Sequence, residues 1–294
     1  MKIALDPYMF RTTPLTDLPS VVAELGYRYI ELSPREDFIP FYKHPRASTA
    51  EVRSFKRALD VAGVEVATIL PLFRWAGPGE EAREAAVRYW RRSIQIAADL
   101  EVPEMLSEFN GGPADPAHCE ALFWQSMEDL LPDFEREGIR LVIEPHPNDF
   151  IEDGFAAVDM IRGINHPLVS FSYCAPHTFY MGGDIAGIME YAGDLLTHVH
   201  VADSFDFRAS SGLRYIVNVG AGGGVPSGTA PRIHQHLDID QGEVDWDTFF
   251  GTLTRLKFDG VMTVCVFAWE ERARESSIYN LEQIHRRIPS VQLT

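Results

Sequence analysis

Cysteine is scarce: the 294 residues include three, Cys119, Cys174 and Cys265, none in a C-x-x-C pair. An odd, sparse set reads as reduced thiols rather than a disulfide framework. Basic charge is also short, with 26 Lys+Arg against 43 Asp+Glu and a net charge of −17. That argues against a nucleic-acid partner, which needs clustered Lys and Arg, and against docking on anionic membrane. Long apolar runs are missing: the longest, Val261 to Trp269, falls far short of the ~20 residues that span a bilayer. The opening MKIALDPYMF reaches Asp6 and Pro7 too early for a signal-peptide core. The expectation is a soluble, cytoplasmic protein. Disorder is excluded by 46% hydrophobic and 23% charged residues, and a chain of this length can bury roughly 75% of its unfolded surface.

Short β-rich runs alternate with helical patterns throughout. The strand candidates are 2–5, 27–32, 64–70, 104–109, 139–144, 168–173, 196–201 and 261–267. Most are continuously apolar, as parallel strands buried on both faces require. Between them, Phe123, Met127, Leu131 and Phe134 share a helix face, as do Ile278, Leu281, Ile284 and Ile288. Helices stop at glycine and re-enter a strand in AELGYRYI, DVAGVEV and EREGIRL. The pattern predicts an α/β fold, a single (β/α)8 TIM barrel occupying 1–294. A doubly wound open sheet would place a Gly-rich turn after the first strand, and ALDPYMF has none. The rhythm breaks after the seventh strand, where 202–243 form a long loop before a helix starting near Val244. Long ordered loops usually serve function, so a lid or a partner-docking loop is expected there.

A barrel enzyme places its chemistry at the C-terminal strand ends. The polar residues there are Asp6 and Tyr8; Glu31, Ser33 and Arg35; Glu108 and Asn110; Glu144 and His146; Cys174 and His177; His200 and Asp203; and Cys265, with His234 and His236 in the long loop. Carboxylate and neutral imidazole ligate Mn²⁺, Zn²⁺ or Fe²⁺ while leaving positions for substrate. Glu144, His177, His200 and His236 are accordingly the expected metal ligands. The alternative is that each imidazole merely fills a polar position at the barrel mouth. Glu144 and His146, two apart on a strand, point the same way if Pro145 and Pro147 leave the strand intact. Asp6, Arg35, Glu108 and His234 are the candidates for holding substrate. GAGGG (220–224) lacks the Gly-Lys-Ser/Thr of a phosphate loop and opens no helix.

The spacing of Glu144, His177 and His200 resembles the xylose-isomerase-like TIM-barrel superfamily of sugar isomerases, epimerases and endonuclease IV. The phrases GYRYIELSPREDFIPFYKHPRA (26–47), RWAGP (74–78), LRYIVN (213–218), HQHLDIDQGEVDWD (234–247) and VFAWEE (266–271) resemble inositol-catabolism H-type proteins and the α subunits of C-glycoside deglycosidases. The resemblance implies a metal set of Glu, Asp, His and Glu on strands five to eight. Glu144 and His200 keep it, while Cys174 replaces the Asp of Asp-x-x-His and Cys265 the last Glu. His234-Gln235-His236 falls where endonuclease IV carries Asp-x-His, a route to missing ligands. It further implies a divalent ion, Mn²⁺ first with Zn²⁺ or Mg²⁺ as alternatives, and proton abstraction beside a carbonyl. His146, whose type titrates near working pH, is the expected base.

Three functions follow. The first is a metal-dependent C-glycoside deglycosidase, the catalytic α subunit of a hetero-oligomer with a small β subunit. It would break the C–C glycosidic bond of a 3-oxo-C-glycoside by C2 deprotonation and β-elimination. The second is an isomerase or epimerase of a sugar or keto-inositol, working through an enediolate in a homo-oligomer. The third is a non-catalytic binding subunit. The long loop, with Phe205, Phe207 and Tyr215, favours the first slightly, since an aromatic aglycone needs an apolar wall. Trp246, Phe249 and Phe250 would add to that wall unless they are ordinary helix packing.

Overall fold

Eight short strands pair in parallel and in chain order into a closed barrel: β1 (Lys2–Leu5), β2 (Tyr29–Leu32), β3 (Glu65–Ile69), β4 (Glu104–Glu108), β5 (Arg140–Glu144), β6 (Val169–Cys174), β7 (Leu196–Val201) and β8 (Val261–Val264). Closure is made by β1 on β8, with Lys2 opposite Val261 and Leu5 opposite Val264. The structure, a computed structural model, describes residues 1–205 and 235–288. The helices outside are α1 (Leu18–Glu24), α2 (Thr49–Ala62), α3 (Glu80–Asp99), α4 (Pro116–Glu137), α5 (Gly154–Ile164), α6 (Ile185–Ala192), α7 (Trp246–Arg255) and α8 (Ala273–Arg287). No helix among the described residues is long and apolar enough to cross a membrane.

Local sequence fixes where these helices begin and end. Ser48 and Glu51 form a reciprocal capping box at the start of α2, and Gly63 ends it in the left-handed region at φ 67°. Asp115, Asp153, Asp184 and Asp245 each accept a backbone N–H at the N-termini of α4 to α7.

The strand interiors depart from the continuously apolar expectation. Both faces are buried, and the outer one is uniformly hydrophobic: Met105, Leu141, Ile143, Phe171, Tyr173, Val199, Val201 and Met262 join the large core shared with the helices, while Leu106 and Val142 on the inner face form a small apolar cluster of their own with Leu70 and Leu72. Glu31, Thr68, Glu144, Ser172, His198, His200 and Thr263 alternate with the outer residues and are equally buried. Period-two alternation puts these inside the barrel. Hydrogen bonds linking β2 and β4 to β7, and an ion pair linking β5 to β7, none of them sheet neighbours of β7, must cross that interior. A TIM barrel normally fills this space with branched aliphatics; here acid, imidazole and hydroxyl groups share it with a few aliphatics such as Leu106 and Val142.

Two further features hold the mouth. Trp75 stacks on Trp90 at 4.7 Å and donates through Nε1 to the carbonyls of Glu108 and Phe109, at 3.2 and 2.9 Å. The end of β4 is thereby tied to the loop after β3. After β7, Asp203 and Leu237 exchange two backbone hydrogen bonds, at 2.8 and 2.9 Å. The Asp203 carboxylate then accepts from Ser204 N, Val244 N and Trp246 Nε1. Both roots of the long loop are clamped together. Residues 206–234, with Phe207, Tyr215, the glycine run and His234, lie outside the described residues. Trp246, Phe249 and Phe250 are core packing in α7, which begins two residues after Val244.

Glycine is demanded by contact at one position and by backbone at another. A Cβ on Gly260 would come 1.9 Å from the Thr197 carbonyl oxygen, whereas one on Gly63 meets nothing within 4 Å. Gly260→Ala should cost about 3 kcal/mol through forced strand separation, and Gly63→Ala about 1 kcal/mol for its left-handed φ. Urea midpoints at a common m-value measure both; equal losses would contradict the steric account.

Candidate functional site

A chain of alternating carboxylates and imidazoles runs up the barrel interior. At its base His198 Nδ1 lies 2.7 Å from Glu104 Oε1, and His198 Nε2 is 3.1 Å from Glu31 Oε2. The other Glu31 oxygen accepts from His200 Nε2 at 2.9 Å, and Thr263 Oγ1 donates to Glu31 at 2.9 Å. His200 Nδ1 stands 2.9 Å from Glu144 Oε2, which also accepts from Ser172 Oγ at 3.2 Å. Glu144 Oε1 is 3.1 Å from His177 Nδ1, and His177 Nε2 is 3.3 Å from His236 Nε2. His236 Nδ1 donates to the Cys265 carbonyl at 2.7 Å, its ring stacked on Phe267 at 4.4 Å.

The upper members, Glu144, His200, His177 and His236, are each delivered by a different element. Glu144 and His200 end β5 and β7. His177 sits in a wide π turn, Ala175–Phe179, that follows β6 and folds back over the barrel. His236 comes from the second root of the clamped loop.

Burial sets the charges. It raises Glu31 and Glu144, but the surrounding imidazoles, His200 foremost with His198 beside it, together outweigh it, taking Glu31 down to about 2 and Glu144 below the usual carboxylate range. Burial lowers His200, yet the Glu144 and Glu31 charges prevail and hold it protonated well above its ordinary value. His236 and His146 have no such excess of partners, and burial takes them down to about 3 and about 4. His177 is also lowered by burial, with His146 and His236 adding to the effect. Burial raises Glu108, helped by the Asp149 and Glu144 charges.

An inner cavity of about 110 Å³ is lined by Asp6, Glu108, Glu144, His146, His177, His200 and His236, among others. These seven expected site residues meet in one place. Glu144 and His146 both face it, so the prolines do not break the i, i+2 relation. Arg35 does not join them: its guanidinium is held by Asp37 at 3.0 Å and by the Thr13 carbonyl at 2.9 Å, and it lines a separate dimple with Arg11. Arg35, three residues beyond the end of β2, follows the loop, not the barrel axis. An outer cavity of about 480 Å³ adjoins, lined by Arg74, Asn110, His118 and Asp149 among others, with Tyr42, Glu108 and His146 in both walls.

The donor groups do not follow the expected set. Glu144 and His200 cluster with Cys174, their ligand atoms within 4.8 Å of one another, while His177 clusters with Glu108 and His146. His236 belongs to neither group among the described residues. Two donors bound at right angles to one ion at about 2.1 Å each lie roughly 3 Å apart, as Glu144 Oε2 and His200 Nδ1 do. His200 Nδ1 is buried and makes no hydrogen bond of normal geometry, while its Nε2 is fixed by Glu31, the arrangement in which a carboxylate orients a metal-binding imidazole. The residues fit a divalent cation.

Glu31 was expected at the barrel mouth but given no role, and His198 and Glu104 were not among the expected site residues. LTHVHV carried the signal for His198, since two histidines two apart on a strand share a face. Glu104, at the opposite end of its strand, carried none.

The profile of the xylose isomerase-like TIM barrel family matches residues 19–279. No curated protein matches the sequence. Among solved structures, an IOLI protein with a zinc atom is 14% identical over 98% of both chains, with a TM-score of 0.76. A 3-keto-D-glucoside 4-epimerase from E. coli is 16% identical over 97% of this chain and 99% of its own, with a TM-score of 0.73. D-psicose 3-epimerase with D-tagatose, from Clostridium cellulolyticum H10, is 15% identical over 96% and 98%, also at 0.73. At these identities the likeness is one of fold.

Asp6 offers a test of the buried electrostatics. Burial and the Glu31 charge raise it from 3.8 to about 8, against hydrogen bonds from Ser33 and Tyr8. With the folded value above the unfolded one, its contribution is full below about pH 4 and is lost as pH rises through 8. Stability should fall across that window by up to about 1.4 kcal/mol per pH unit. Asp6→Asn should flatten the fall, as read from urea midpoints; an unchanged slope would remove Asp6 as its source.

Proposed function

We infer, from the fact that the chain belongs to the xylose isomerase-like TIM barrel family, that it deprotonates a carbon beside a carbonyl of a sugar-derived substrate, with a divalent cation at Glu144 and His200. We further propose that the substrate is a 3-oxo-C-glycoside and the reaction a β-elimination. One observation carries this: Glu108 and His146 stand in the shared wall between a small inner cavity, which holds the carboxylates and imidazoles, and a wider outer one. A substrate with a sugar ring inside and an aglycone outside would place its C1–aglycone bond at that wall. Tyr42, with the Arg74 guanidinium 4.6 Å over its ring, offers the outer cavity a stacking surface. The E. coli fold neighbour acts, by its description, on a 3-keto glucoside, a substrate of the same class.

When bound, the cation supplies Lewis acidity toward the carbonyl oxygen. His146, neutral at working pH, takes the C2 proton. The C–H electron pair forms the C1=C2 bond and the C1–aglycone bond breaks. Its electrons take the proton of Glu108, which burial keeps in the acid form. Glu108 Oε1 and His146 Nε2 are 3.6 Å apart, so the proton on His146 can return to Glu108 and reset the pair. Two neighbours whose values are pushed in opposite directions, Glu108 up and His146 down, suit acid and base roles. The lid or β-subunit role of the long loop, and a hetero-oligomer, belong to this proposal.

The second reading, an epimerase or isomerase, is favoured by His177, whose ring lies 4.4 Å from that of His146 and could return the proton elsewhere.

Exchange of the substrate C2 hydrogen in D₂O separates these readings. His146→Gln should lower exchange by about 10²–10⁴-fold, and Glu144→Ala should lose metal by elemental analysis. Glu108→Gln should retain exchange within about threefold while aglycone release falls about 10²-fold or more. Wild-type exchange with an isomeric sugar as product would select the epimerase, and binding with no exchange the non-catalytic subunit. The base is competent above about pH 4 and the acid until Glu108 ionises, so kcat/KM should fall on the acid side as His146 protonates. A profile rising toward lower pH would assign the base elsewhere.

A further inference from the structure

We propose that Cys174 is a metal ligand, its thiolate completing a set with Glu144 and His200 that holds a thiophilic divalent ion such as Zn²⁺ rather than the Mn²⁺ that carboxylate sites take. The proposal rests on the metal-centred reading above and adds the ligand and the class of ion. Cys174 is the last residue of β6, fully buried, and pairs in register with His200 on β7. Its Sγ lies within 4.8 Å of ligand atoms of both Glu144 and His200. The second, independent observation is His200 Nδ1, buried in the same cluster without a hydrogen bond of normal geometry, while Glu31 holds the other ring nitrogen. A carboxylate, an imidazole and a thiol thus converge from three adjacent strands, β5, β6 and β7. Such a nitrogen, oxygen and sulfur set suits Zn²⁺, with bonds of about 2.0–2.3 Å, whereas Mn²⁺ and Mg²⁺ prefer carboxylate, carbonyl and water. On binding, the Cys174 S–H proton leaves to solvent and the sulfur lone pair forms the metal bond, with no change of oxidation state.

Any nitrogen- and sulfur-containing site holds Zn²⁺ above Mn²⁺, so retention of zinc alone decides nothing. The decisive probe is Co²⁺ added to chelator-treated protein. Wild type should show a near-ultraviolet sulfur-to-cobalt charge-transfer band that is absent in Cys174→Ser and kept in Cys265→Ser. In a separate arm, protein equilibrated with equal Zn²⁺ and Mn²⁺ should raise its Mn²⁺ share about tenfold on Cys174→Asp, a carboxylate of the kind Mn²⁺ prefers. Co²⁺ bound at one equivalent without the band would overturn the ligand while sparing the metal-centred reading. A band that survives Cys174→Ser would do the same. No Co²⁺ bound at all would overturn both. Elemental analysis of each variant distinguishes these results without recourse to activity.

Discussion

Two carboxylates, Glu31 and Glu144, are sealed inside the barrel with His200 between them, 2.9 Å from each. Removing one partner from such a buried set leaves an uncompensated charge, typically at a cost of about 3–5 kcal/mol. A positive charge is therefore required at this point. In the metal-free protein it is the His200 proton; with a cation bound, Nδ1 becomes a ligand and Glu31 continues to hold Nε2. The same constraint explains the layer beneath, where His198 bridges Glu31 to Glu104 and Thr263 donates to Glu31. The polar interior is one connected network, and the hydrophobic work of the fold falls to the outer strand faces and the helices.

The network also sorts the histidines by role. Those between carboxylates, His198 and His200, are raised above the usual imidazole value by those carboxylates, against the effect of burial. Those nearer the mouth, His146, His177 and His236, are held neutral by burial. His236 uses its N–H on the Cys265 carbonyl, which fixes its tautomer and presents Nε2 toward His177. Identical side chains a few ångströms apart thus differ in their affinity for a proton, through the number of carboxylates each one touches.

The barrel was legible because its signals are local. Each of the eight apolar runs overlaps a strand, and glycine stops such as Gly63 and Gly138 lie where helices end. Glu144, His146 and His200 were legible because a known rule puts strand ends at the mouth. Arg35 obeyed the sequence rule but not the geometry, since its side chain leaves with the loop to meet Asp37. Glu31 and Glu104 became part of the site only through contacts across the barrel, at separations of 169 residues to His200 and 94 to His198. A local reading of the sequence does not show which interior position on β7 faces which on β2 or β4.

The two buried cysteines, Cys174 and Cys265, bear on the charge balance of this interior. Burial takes the Cys174 thiol up to about 12 and raises Cys265 well above its usual value, so both are neutral when no cation is near. Carboxylates at the same positions would add two more buried negative charges beside Glu31 and Glu144, with only His198 and His200 to offset them. A thiol avoids that cost in the metal-free state and ionises only when a cation arrives, because a coordinating ion deprotonates its thiol. The charge needed to hold the ion is then created by binding rather than stored in the fold. Metal affinity at such a site must fall as protons compete for the sulfur, a coupling that a carboxylate, already ionised at neutral pH, would carry only in acid.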